Sequence, residues 1–164
     1  MYIRIIKAGA LFVAVCFIFA AFSASPVFSQ SGARILVEKI GPHELDKLMK
    51  SSESKSLVVA MASWCSPCRE ELPFLIKLQS KYNDKGLKIV GISLDVNGPE
   101  AMQKIADRAK VNFPIYWVGE EAAEKYDIYA IPMLYLIKNG KVIEKIAGQQ
   151  PEALLEKKIG SLLK

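Results

Sequence analysis

Two of the chain's three cysteines stand in the run Trp64-Cys65-Ser66-Pro67-Cys68. A C-x-x-C pair can serve as a structural disulfide, contribute to a metal site, or exchange disulfides with a partner. Zinc asks for four ligands and soft copper sites usually borrow histidine, whereas the only histidine, His43, lies far from the pair in sequence. A domain of this size does not need a staple to fold, so bracing is a weak reason for a lone pair. The setting favours exchange. Leu57 to Ala62 is a continuous apolar run, the pattern of a strand covered on both faces, and from Glu70 to Tyr82 the residues Leu72, Leu75, Ile76 and Leu78 recur at helical intervals. The pair therefore falls where a strand gives way to a helix. Unpaired amide groups and the helix dipole stabilise a thiolate there, and Pro67 fits a first turn because it has no N–H to lose. This reading makes Cys65 the exposed nucleophile and Cys68, one turn further in, the shielded resolving thiol.

The elements that must position the pair are legible around it. Ile35 to Ile40 alternates like a first strand, and His43 to Lys50 has helical spacing, with His43 a surface residue near its start. After the cysteine helix, Asn83 to Gly86 ends it, and Leu87 to Leu94 forms another buried strand. Pro99 to Lys110 follows as a helix with Met102, Ile105, Ala106 and Ala109 on one face, then Phe113 to Val118 as a short strand and Glu120 to Tyr126 as a short helix. Met133 to Lys138 and Lys141 to Ala147 are strands joined by the hairpin signal Asn139-Gly140. Pro151 to Leu163 closes the chain as a helix whose apolar face uses Leu154, Leu155, Ile159, Leu162 and Leu163. The fold expected is α/β: a mixed central sheet with helices on both faces, ending in an antiparallel hairpin and a helix.

The N-terminus has a different character. Arg4 and Lys7 precede Ala8 to Ala24, which carries no charge, giving the basic and apolar regions of an export signal. At 17 residues this stretch lies between a cleaved signal and a membrane-spanning helix, which needs about 20. Cleavage near Ser29 is the favoured reading. Retention as an N-terminal membrane anchor would still leave the domain facing outward by the positive-inside rule. The expected organisation is a signal peptide or anchor over 1–29, a linker over 30–34 and one domain over 35–164. Cys16, mid-run and preceded by Val15, reads as an apolar filler. Without Arg4 and Lys7 the formal charge falls by two from +5, too little to argue for nucleic acid, and the lysines are interleaved with acids as on a solvated surface.

Trp64-Cys65-x-Pro67-Cys68, Pro73 and Ile131-Pro132 together make the chain resemble the thioredoxin superfamily. The run Cys68-Arg69-Glu70-Glu71-Leu72-Pro73, the exported N-terminus, the strand-helix-strand insertion at about 90 to 118 and the ending with Gly140 and Gly148 make it similar to the TlpA/ResA-type extracytoplasmic members. The resemblance implies that Pro132 is cis and lies with the Ile131 backbone beside Cys65. On the residues alone, Pro132 is a proline at the start of a strand, where an edge-strand proline is the plain alternative. Val59 stands where ordinary thioredoxins carry a buried acid. The resemblance gives that proton-transfer role to Glu71 and leaves Glu70 a solvated neighbour. A first-turn surface acid, favoured by the helix dipole, is the competing reading of Glu71. The resemblance also assigns Trp64, Pro67, Ile131 and Pro132 to substrate binding.

Function follows as dithiol–disulfide exchange with protein clients, needing neither metal nor cofactor. Reduction is favoured because Ser66-Pro67 offers no histidine to stabilise a thiolate as strongly as in potent oxidants. The export-type N-terminus places the chemistry outside the cytoplasm, where scarce free reductant implies a membrane thiol donor, and the resemblance points to apocytochrome c as a client. A disulfide-donating oxidant and a non-catalytic partner-binding module are the alternatives. A peroxidase lacks support, because no Thr-x-x-Cys pattern occurs in the chain.

Overall fold

The computed structural model describes residues 34–50 and 55–164. The proposed signal or anchor and most of the linker lie outside them, and among the described residues no helix is long and apolar enough to cross a membrane.

The strands are β1 (Val37–Lys39), β2 (Lys55–Met61), β3 (Leu87–Ser93), β4 (Ile115–Trp117), β5 (Met133–Lys138) and β6 (Lys141–Ala147). The helices are α1 (Pro42–Met49), α2 (Ser66–Tyr82), α3 (Glu100–Ala109), α4 (Ala122–Lys125) and α5 (Glu152–Leu163), with a 3₁₀ turn at Asn83–Lys85. The strands form one sheet in the order β1-β4-β3-β2-β5-β6. β1, β4, β3 and β2 run parallel, whereas β5 is antiparallel to β2 and β6 to β5. The hairpin therefore forms one edge, as its turn signal implies. Asn139 and Gly140 both take left-handed backbone angles, φ 51° and 70°, which suit the right-handed twist of the strands they join.

The unbroken apolar run of β2 is explained by its central place. Successive side chains point to opposite faces of a strand. Leu57, Val59 and Met61 enter a core shared with α2, α3 and α5, while Val58 and Ala60 enter a second core under α1 and α4. Both faces are thus dry, and neither accommodates a polar side chain without a partner.

Several boundaries differ from the sequence reading. β1 and β4 keep only three residues each of the longer runs expected, because pairing ends where their register with each other and with β3 ends. α2 begins at Ser66, directly after its N-cap Cys65, with Pro67 in its first turn as the sequence reading has it; the apolar periodicity becomes visible only from Glu70 onward. On α5, Leu155, Ile159 and Leu162 are buried but Leu154 turns outward, being offset from that one-sided stripe.

Leu75 is fully buried where α2 meets the sheet. Leu75→Ala should lower unfolding stability by about 3 kcal/mol, measured by denaturant titration, because the close-packed interface collapses only partly around the lost atoms.

Candidate active site

β2 delivers the chain to the end of the sheet, and the chain turns sharply there. The last strand residue, Met61, still pairs with Ser93, after which the N–H of Cys65 donates to the Ala62 carbonyl at 3.1 Å. Cys65 is the N-cap of α2, and its sulfur accepts the N–H of Cys68 at 3.2 Å. A residue in this position meets the unsatisfied amides and the positive end of the helix dipole together. Cys65 and Cys68 are joined as a disulfide, with Cα atoms 5.3 Å apart.

Cys65 is not the exposed residue that helix geometry alone suggests. It is only 5% accessible and Cys68 3%, because both sulfurs sit in the core formed with Leu72, Met61 and Ala62. Exposure is instead concentrated in the neighbours: Trp64 is 64% accessible, and Ser66 and Pro67 are exposed.

The Ile131-Pro132 peptide bond is cis, as the resemblance implies. Pro132 is buried immediately before β5, and its carbonyl accepts the N–H of Gly148 at 2.8 Å. Since Met133 pairs with Ala60, this proline stands at the same end of the sheet as the Cys65 turn. Ile131, half-buried, packs against both cores.

Glu71 faces inward from α2 and is 3% accessible. One carboxyl oxygen accepts the backbone N–H of Gln150 at 3.2 Å, and the other has no hydrogen-bond partner among the described residues. Burial pushes its pKa up from 4.5 to about 7, against a smaller opposing pull from the Gln150 amide. Its neighbour Glu70 is exposed and accepts from Ser66 Oγ at 3.1 Å.

Asp95 was not signalled by any motif. It follows β3, is 3% accessible, and accepts hydrogen bonds from the Ser63 N–H and hydroxyl and from the Ser93 hydroxyl. A lone acid closing the apolar run Leu87 to Leu94 was the available clue, because an acid at the C-terminal end of a buried parallel strand faces the loops where such sheets place their sites. Among the described residues no group of three or more His, Cys, Asp or Glu side chains could hold a metal ion.

A helix-capping cysteine pair after a central strand, with a cis-proline at the same end of a mixed sheet, defines a thioredoxin-like protein. The chain belongs to the AhpC/TSA family, which it matches over residues 27–146. The thiol-disulfide oxidoreductase ResA of Bacillus cereus is 36% identical over 97 residues, 57% of this chain and 55% of that protein. The chain spans about half the length of the ResA proteins it matches. Thioredoxin of Bacillus subtilis is 30% identical over 120 residues, 72% of this chain and 93% of that one. Among solved structures, a Chlorobium tepidum protein provisionally assigned as thiol:disulfide interchange protein DsbE is 30% identical with a TM-score of 0.66, covering 71% of this chain and 85% of that one.

The raised pKa of Glu71 gives a signed expectation. A carboxyl whose pKa is higher folded than unfolded holds more protons in the folded state between the two values, so stability is lost as pH rises from about 4.5 to about 7. Glu71→Gln removes that loss. Relative to the parent, the variant should gain on the order of 2 to 3 kcal/mol between pH 4 and pH 8 in denaturant titrations. A pH-independent difference would show that Glu71 stays ionised.

Proposed function

We propose that the protein is a thiol–disulfide oxidoreductase that reduces disulfides in protein clients. The observation that carries this is the sulfur of Cys65 at the N-cap of α2, where the Cys68 amide meets it. In the reduced protein the Cys65 thiolate attacks one sulfur of a client disulfide, forming a mixed disulfide and releasing the client's other thiolate. Cys68, as a thiolate, then attacks the Cys65 sulfur, frees the second client sulfur and leaves Cys65–Cys68 oxidised. Two electrons pass to the client, which takes up two protons.

Glu71 is the proton acceptor for the resolving step. Near neutral pH a carboxyl titrating at about 7 is divided between its two forms, so it can take the Cys68 proton and later return it. Trp64, Pro67 and Ile131, with the buried cis Pro132 next to Ile131, form the site that receives the client chain.

The basic and apolar N-terminal segment supports export, with 1–29 as a signal peptide or a retained membrane anchor and the chemistry outside the cytoplasm. Free reductant is scarce there, so a membrane thiol donor regenerates the dithiol. The likeness to ResA-type proteins supports apocytochrome c among the clients.

The direction is tested by equilibrating the Cys65–Cys68 pair with redox buffers. A potential near about −270 mV or below fits a reductant, and one near about −120 mV would reassign the protein as an oxidant. Cys68→Ser should accumulate a mixed disulfide on Cys65 in cells, and Cys65→Ser should accumulate none. Unchanged activity in cells carrying Cys68→Ser would instead support a partner-binding role without exchange chemistry.

A further inference from the structure

We propose that Asp95 is a positioning residue for the attacking thiol, holding the Ser63-Trp64-Cys65 segment in place when the disulfide opens. The proposal rests on the exchange reading above and adds a residue which that mechanism does not use.

Within the segment between β2 and α2, backbone pairing is limited to the hydrogen bond from the Cys65 N–H to the Ala62 carbonyl. Strand pairing stops at Met61, and α2 starts at Ser66. Ser63 lies midway and every one of its polar groups is engaged. Its N–H donates to both Asp95 carboxyl oxygens at 3.1 Å, its hydroxyl donates to Asp95 Oδ1 at 2.6 Å, and its carbonyl accepts from Arg69 Nη1 at 2.7 Å. Asp95 is in turn fixed by the Ser93 hydroxyl at 2.7 Å and, through its own carbonyl, by Trp117 Nε1 at 2.6 Å. The turn is therefore clamped to β3 and β4 through a carboxylate.

A buried carboxylate is costly to desolvate, and an apolar residue could fill the volume without that cost. What the carboxylate adds is direction: two oxygens that fix a backbone amide and a hydroxyl at once. Hydrogen bonds to an ionised acceptor are the stronger kind. In the oxidised protein the sulfur–sulfur bond also restrains Cys65. Once that bond opens, the clamp two residues upstream joins the Cys65 backbone bonds to Ala62 and Arg69 in keeping the Cys65 sulfur over the Cys68 amide.

The sign of the effect separates positioning from simple charge. Asp95→Asn keeps the shape but removes one acceptor oxygen and the charge. If charge alone mattered, removing a nearby negative group would favour the Cys65 thiolate and speed its reactions. If positioning matters, the sulfur drifts from its amide donor and its reactions slow.

The measurement is the rate of Cys65 alkylation by iodoacetamide in the reduced protein at neutral pH, with Cys68 changed to Ser in every sample. Asp95→Asn should react about 10-fold more slowly, the value of one hydrogen bond to a charged group. Ser63→Ala, which keeps the charge and loses only the hydroxyl bond, should be about 3-fold slower, because the two bonds from the residue-63 N–H to Asp95 remain. Ser63→Thr restores the hydroxyl and should match the parent. An unchanged or faster rate in folded Asp95→Asn would overturn the proposal, as would a parent-like rate in Ser63→Ala. Should Asp95→Asn fail to fold, the Ser63 pair carries the test. The readout needs no client protein, so failure of client reduction in the parent would count against the proposed function and leave this result standing.

Discussion

The structure depends on one placement: the sulfur of Cys65 at the point where a buried strand ends and a helix begins. A helix N-terminus supplies unpaired amides and a partial positive charge at no cost in added side chains, but only if the chain enters it from a fixed direction. That fixed direction comes from β2, which is central in the sheet and buried on both faces. From this follow the alternation of Leu57, Val59 and Met61 with Val58 and Ala60, the layers of helices on either side, and the antiparallel β5 that brings Pro132 back to the same end.

Two buried acids at this end are handled in opposite ways. Asp95 has a donor on each oxygen, from Ser63 and Ser93, and these bonds offset the loss of water. Glu71 has one backbone donor and a bare second oxygen, so burial acts on it with little compensation and its pKa rises. The first arrangement suits a group that holds geometry. The second suits a group that exchanges a proton near neutral pH. Val59 leaves β2 without an acid at this point, and α2 presents the buried carboxyl of Glu71 one turn beyond Cys68, the group to which the proposed mechanism gives the proton transfer.

Much of this was legible in the sequence because local signals agreed with the global fold. The apolar run of β2, the Asn139-Gly140 turn and the strand-to-helix setting of the cysteines each depend on residues within a few positions of one another. The cis state of Ile131-Pro132 came from resemblance, since a strand-start proline alone does not specify it. What the sequence reading missed depends on distant partners. Gln150 meets Glu71 across 79 positions and Asp95 meets Ser63 across 32, and no periodicity reports either. The burial of Cys65 escaped for a similar reason: helix geometry predicts where a sulfur points, but not which core residues close over it.

The proposed chemistry depends on Cys65 being the attacking thiol, by virtue of its place at the start of α2. The most direct check is to follow alkylation of the two thiols separately in the reduced domain at neutral pH, by peptide mapping at short times. Cys65 should be modified first and rapidly, with Cys68 protected until the protein unfolds. Modification of Cys68 at an equal or higher rate would contradict the assignment and reverse the roles of the two sulfurs.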